Sequence, residues 1–125
     1  MKGLKALAAV LVATGLLASV IPASASAAAY KHYVACGVQN NSKPAHVCPN
    51  KSKKGAFFES VSAEVNYTVC VSFPRGKHLC TEKPQRAEEG VLYVNTITST
   101  IPGRHQVTWF VKGKKVGTFV FRVKG

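Results

Sequence analysis

Along residues 65–73 apolar and polar side chains alternate: Val65, Tyr67, Val69, Val71 and Phe73 are apolar, and the positions between them are polar apart from Cys70. A period of two marks a half-buried β-strand whose odd positions turn toward a core. Pro74-Arg75-Gly76 follows as a three-residue hairpin loop, with Gly76 free to take the left-handed conformation of a bulge. The returning strand then sets Lys77 opposite Phe73, His78 opposite Ser72, Leu79 opposite Val71 and Cys80 opposite Cys70.

Other windows carry weaker forms of the same pattern. Residues 30–36 read as an edge strand, and residues 55–61 as a strand with a helical turn as the alternative. Residues 90–98 are rich in β-branched and aromatic side chains and predict another strand. Residues 105–111 and 116–123 predict a hairpin around Lys112-Gly113-Lys114-Lys115. Its preferred register places Val107 and Trp109 with Gly117, Phe119 and Phe121, which gathers the rings on one face. Residues 39–44 and 49–54 are polar and turn-rich around a short His46-Val47-Cys48 segment, and residues 82–89 read as a polar loop. No window sustains a 3.6-residue stripe. Six or seven short strands punctuated by Gly and Pro predict an all-β sandwich or barrel, antiparallel and built as one domain over residues 30–125.

The four cysteines, Cys36, Cys48, Cys70 and Cys80, allow three connectivities. The pairing 36–48 with 70–80 closes two short local loops. For the second pair the hairpin register is an independent reason, since directly opposed strand residues lie about 4.5–5.5 Å apart, within disulfide reach. The competing use is metal: His32 with Cys36 and His46 with Cys48 resemble ligand spacings only loosely. No Cys-x2-Cys is present, and an exported chain favours disulfides over thiolates.

Export is read from residues 1–29. Lys2 and Lys5 precede an apolar run over residues 6–21, and a small-residue stretch ends in overlapping Ala-x-Ala sites at Ala25, Ala27 and Ala29. Those are the three parts of a secretory signal peptide. The run is short for a hydrocarbon core of about 30 Å and is broken by Thr14, Gly15 and Ser19, which argues against an anchor. Acylation at Cys36 is disfavoured too, because Lys31, His32 and Tyr33 interrupt the apolar sequence and three cysteines would remain. Removing 29 residues with their two lysines leaves 96 residues and a net charge of +10, from +12 for the whole chain. A domain of that size has a modest core, which cross-links would support.

Composition then narrows the chemistry. The chain contains no Asp, which excludes EF-hand loops, Walker-type magnesium sites and Asp-containing triads or dyads. Neither a Gly-x-Ser-x-Gly elbow, a His-Glu-x-x-His pair nor a Gly-rich phosphate loop occurs. Glu88-Glu89 read as solvated neighbours; His46, His78 and His105 are general bases in principle only, since geometry and not presence makes a base, and His78 reads as a surface residue beside a disulfide. No catalytic residue, cofactor or metal is therefore expected.

The C-terminal stretch Pro102-Gly103-x-His105-x-Val107-x-Trp109, then Gly113, then Gly117-x-Phe119-x-Phe121, resembles the last two strands of a bacterial immunoglobulin-like domain. The likeness covers about residues 56–123 and implies a small immunoglobulin-like β-sandwich used for binding or scaffolding. It departs from antibody-type domains, whose disulfide joins two core-facing cysteines across the sheets. A fainter likeness is to secreted immunoglobulin-like apoproteins that carry enediyne antibiotics. Those also have a disulfide hairpin but are acidic.

The basic residues suggest where binding occurs. Lys51, Lys53 and Lys54 share one turn-rich stretch, Arg75 and Lys77 flank one hairpin tip, and Lys112, Lys114 and Lys115 occupy another. Such charges at turns serve solubility and discourage edge association. If the tips converge at one end of a sandwich, they form a surface for an anionic envelope polymer or an acidic protein. Nucleic acid is disfavoured, because the aromatics occupy core-facing strand positions. Asn40, Asn50 and Asn66 match the Asn-x-Ser/Thr acceptor pattern. The expected molecule is a secreted, monomeric, non-catalytic module. The alternatives are a carrier holding a small apolar ligand between its sheets, or a protease inhibitor using the loop between Cys36 and Cys48.

Overall fold

The structure is a computed structural model describing residues 29–125; the expected signal segment, apart from Ala29, lies outside the described residues. Among the described residues nine strands form two sheets: β1 Tyr30–Ala35, β2 Val47–Cys48, β3 Lys54–Ser60, β4 Val65–Ser72, β5 His78–Cys80, β6 Gln85–Ala87, β7 Leu92–Ile97, β8 Gly103–Val111 and β9 Lys114–Val123. The larger sheet has the order β2-β9-β8-β4-β5, with β6 also paired to β4, and the smaller has the order β1-β3-β7. All pairings are antiparallel except β2 with β9, which is parallel.

The expected hairpin register is the observed one: Ser72 pairs with His78, Val71 with Leu79 and Cys70 with Cys80. Phe73 donates its N–H to the Lys77 carbonyl at 2.7 Å and so closes the loop. Arg75 (φ 72°) shares the left-handed conformation with Gly76 (φ 85°), where glycine alone was expected to adopt it. In the final hairpin Gly117 pairs with Trp109, Phe119 with Val107 and Phe121 with His105. A two-residue turn, Lys112-Gly113, joins the strands with both residues at positive φ, and the register shifts near Val116.

Two short strands exceed the expected six or seven. Val47–Cys48 pairs with the upper end of β9, and Gln85–Ala87, inside the stretch read as a loop, pairs with Val65–Tyr67. Neither is long enough to show a period of two. Both disulfides have the expected connectivity, Cys36–Cys48 and Cys70–Cys80, with Cα separations of 5.4 and 4.0 Å.

Inward positions of both sheets meet in one core. Val69, Val71, Val107, Trp109 and Phe121 of the larger sheet pack against Val34, Ala56, Phe58 and Ile97 of the smaller. Tyr67 stacks on Phe58 and donates its hydroxyl to Asn95 Oδ1 at 3.2 Å, and burial pushes its phenol up to about 12. The His32 ring of β1 lies tilted against Trp109, and a Cβ at Gly117 would overlap it, so the glycine admits the close approach of the sheets.

Candidate functional site

Strand direction fixes which charges share an end. β4 rises toward the Pro74–Gly76 turn, β8 descends from Gly103 beside Pro74, and the Lys112-Gly113 turn therefore lies at the opposite end. The two basic tips do not converge, contrary to the expectation from sequence. An antiparallel meander that runs β4, β8, β9 in space leaves successive turns at alternate ends.

Lys54 is a second correction. It is fully buried, because it opens β3 on the inward side, and its Nζ donates to the Asn50 carbonyl at 3.1 Å and the Ser99 carbonyl at 2.8 Å. Burial lowers its pKa. Lys51 and Lys53 beside it are exposed.

A different grouping takes the place of the converging tips. At the upper end, with the Pro74–Gly76 turn, stand the exposed side chains of Lys43, Lys51, Lys53, Arg75, Lys77 and Lys124. Arg104 and Arg122, directly opposed across β8 and β9, add two more on the outer face. No glutamate lies there. Glu59, Glu64, Glu88 and Glu89 all sit at the lower end, where Arg86 binds Glu64 through Nε and Nη2 at 2.9 and 3.1 Å. Lys112, Lys114 and Lys115 therefore share their end with glutamates, and the basic side chains of the upper end do not. Arg104, Arg122 and Lys124 escaped the sequence reading because they lie on strands and at the chain end, away from the basic turns.

Beside the upper end is a cleft of about 460 Å³, and it exists because the sandwich is lopsided. β1 covers β9, β3 reaches across to β4, and β7 lies over β4 through Tyr93 and Asn95. Nothing in the smaller sheet lies over β5. Leu79 consequently points inward, beside Val71, and is still 53% exposed. Val69, Val71 and Leu79 line one wall, Ile97 and Ile101 the other, and Lys77 is the only ionisable group on the lining.

Ser99 of the lining belongs to a buried polar cluster. His105, fully buried against Phe73 and Phe121, shares a 2.7 Å hydrogen bond with Ser99 Oγ through Nε2 and lies 3.1 Å from the Gly103 carbonyl through Nδ1. The carbonyl requires a donor, so Nδ1 carries the proton and Nε2 accepts from the serine hydroxyl. Burial is the main cause that lowers the His105 pKa, with the Lys54 charge acting in the same direction. Ser99 Oγ also accepts the Ile101 N–H at 3.3 Å, and no carboxylate backs the imidazole. The pair pins the chain between β7 and β8 to the core.

The remaining histidines are also accounted for by packing. His46 stacks on Phe119 and donates from Nδ1 to the Val120 carbonyl at 2.7 Å. His78 lies 3.4 Å from Cys80 Sγ and close to Cys70, but both sulfurs are held in the disulfide and offer no thiolate. The loop between Cys36 and Cys48 folds along β1, with Ala45 donating to the Val34 carbonyl at 2.9 Å and a bridge from Ala35 to Pro44.

No protein-family model matches the chain, and no curated protein matches it. Among solved structures it is similar to an immunoglobulin-like protein from Pseudomonas aeruginosa, with a TM-score of 0.53 and 16% identity over 76% of this chain and 91% of that one. It also aligns with the alkylpurine DNA glycosylase AlkC of Pseudomonas fluorescens bound to DNA, at a TM-score of 0.44 and 17% identity over 78% of this chain and 31% of that one. That alignment carries no argument. Two packed sheets, their antiparallel hairpins and the first of these likenesses agree: the chain has the fold of a small immunoglobulin-like β-sandwich with two disulfides.

Proposed function

We propose that the chain is a secreted, non-catalytic binding module whose upper end engages an acidic protein. The observation that carries this reading is the segregation of charged side chains: eight exposed basic groups at one end without a glutamate, and four of the five glutamates at the other. A one-sign surface attracts an oppositely charged partner and orients it on approach. Lys51, Lys53, Arg75 and Lys77 are the contact residues, while Lys112, Lys114 and Lys115 serve solubility. Two disulfides in so small a domain suit an oxidising compartment.

The test is binding of the oxidised protein to immobilised polyglutamate and, separately, to polyphosphate, across a salt series. Polyglutamate binding should weaken steeply with salt. The Lys51→Glu/Lys53→Glu variant should lose about tenfold in affinity, on the order of 1.4 kcal/mol. Lys114→Glu/Lys115→Glu should leave it within about twofold, as for rim charges screened by neighbouring carboxylates. Equal losses at both ends would sink the reading. A strong preference for polyphosphate would reassign the partner to an anionic envelope polymer.

A further inference from the structure

The lopsided sandwich has a specific geometric meaning. The smaller sheet ends at β7, whose outer edge has no partner among the described residues, while the larger sheet continues past it through β5. An unpaired edge is a row of free N–H and C=O groups, and natural proteins normally guard it with Lys, Pro or a bulge. This edge has no such guard. From Val91 to Ile101 the chain carries no charged residue, glycine or proline, although the protein is strongly basic elsewhere. Val91, Val94 and Ile101 are among its exposed large apolar side chains.

We propose that a strand contributed by a partner protein adds to the free edge of β7 and completes the smaller sheet over β5. A strand hydrogen-bonded to β7 would sit about 4.8 Å beyond it. Alternate side chains of that strand then enter the cleft between Ile97 on one wall and Val71 and Leu79 on the other. Leu79, inward-facing yet uncovered, is the residue such a strand would bury. The remaining side chains face outward beside Val94 and Thr96. Backbone pairing supplies affinity and the cleft supplies selection for apolar residues at alternate positions.

Charge sets the last feature of the partner. Lys77 is the sole ionisable group in the lining and stands at the upper end of the cleft, so the segment carries an Asp or Glu where it passes the Thr98–Ile101 stretch. This deepens the proposed function, resting on it for the acidic character of the partner, and adds the site and the mode of binding. Self-pairing of β7 with a second copy and a small amphiphile in the cleft are the two competing occupants.

The experiment selects octapeptides from a random display library on the oxidised full domain. The enriched peptide is then followed by amide hydrogen exchange and by calorimetry. Enriched sequences should alternate apolar and polar residues with an acidic residue near one end. Bound peptide should slow exchange at the outward amides of residues 92–97. Leu79→Asp should cut affinity at least tenfold and Lys77→Gln several-fold, with thermal unfolding of both variants unchanged. Lys51→Glu/Lys53→Glu, which tests the wider basic end, should retain peptide binding at 0.5 M salt, so that the two readings fail separately. Absence of the alternating pattern, protection elsewhere, displacement of the peptide by laurate, or concentration-dependent dimerisation abolished by Thr96→Lys would each overturn the proposal.

Discussion

Gly117→Ala tests the claim that close contact between the sheets, at one glycine, sets the packing of the core. A Cβ at this position would overlap Nε2, Cδ2 and Cε1 of His32, whose ring lies tilted against Trp109 at a centroid distance of 5.2 Å. The ring escapes the overlap only by disturbing that contact with a Trp109 that is itself fully buried. Overpacking of this kind costs roughly 1–3 kcal/mol. Replacing a strand glycine by alanine returns about 0.5–1 kcal/mol of chain entropy. The net expectation is a loss of about 1–2 kcal/mol, or roughly 5–15 °C in Tm for a domain near 100 residues. Urea unfolding of the parent, Gly117→Ala, His32→Ala and the double variant forms a complete cycle. The new methyl occupies space vacated by the ring, so the double variant should be at least about 0.5 kcal/mol more stable than additivity predicts. A Gly117→Ala protein as stable as the parent, or strict additivity in the cycle, would refute the close-approach argument.

Replacing Cys70 and Cys80 together by Ser should cost about 2–4 kcal/mol in urea unfolding, since the link closes a short loop in a domain with a small core; an unchanged midpoint would show that the hairpin holds without it. Lys54→Met should cost about 1–3 kcal/mol by leaving the Asn50 and Ser99 carbonyls without their donor. Lys51→Met and Lys53→Met, at exposed positions, should stay within about 0.5 kcal/mol in the same assay. His32 and His105 have pKa values lowered by burial from 6.5. Below that value the unfolded chain takes up protons that the folded chain refuses, so Tm should fall from pH 7 to pH 5 and fall less in His32→Phe. A Tm that climbs toward pH 5 would contradict the burial of both rings.

The parts of the fold that were legible in sequence are those set by neighbours along the chain. Between Val65 and Phe73 the alternation assigns every side chain to a face, and one turn of three residues fixes the register that opposes Cys70 to Cys80. The register of the final hairpin was not fixed by sequence; the one preferred because it gathers Trp109, Phe119 and Phe121 on one face is the one observed. Val47–Cys48 and Gln85–Ala87 were not legible as strands. Each is too short to show a period, and each is a strand only because β9 or β4 offers a free edge. Lys54 looked like one of three surface lysines, and only the entry of β3 into the sandwich puts it inside.

The candidate site was legible in its residues and illegible in its arrangement, for a reason that belongs to β-topology. Basic turns can be counted in a sequence, but the end of the sandwich on which each falls depends on the order of strands in space. That order, β9-β8-β4, sends Lys112 away from Arg75 and brings Arg104, near the start of β8, and Arg122, near the end of β9, to the upper end. The cleft depends on a still less local property, the unequal widths of two sheets. Leu79 opposite Val71 was readable as an inward residue, and an inward leucine is ordinarily covered. That it is not covered follows from the smaller sheet stopping at β7. The stretch from Val91 to Ile101 carries no charge, a composition that suits an interior strand, and the structure makes its strand an edge. A sequence composed as though for a middle position, found at an edge beside an uncovered leucine, lacks one strand. The strand need not come from its own chain.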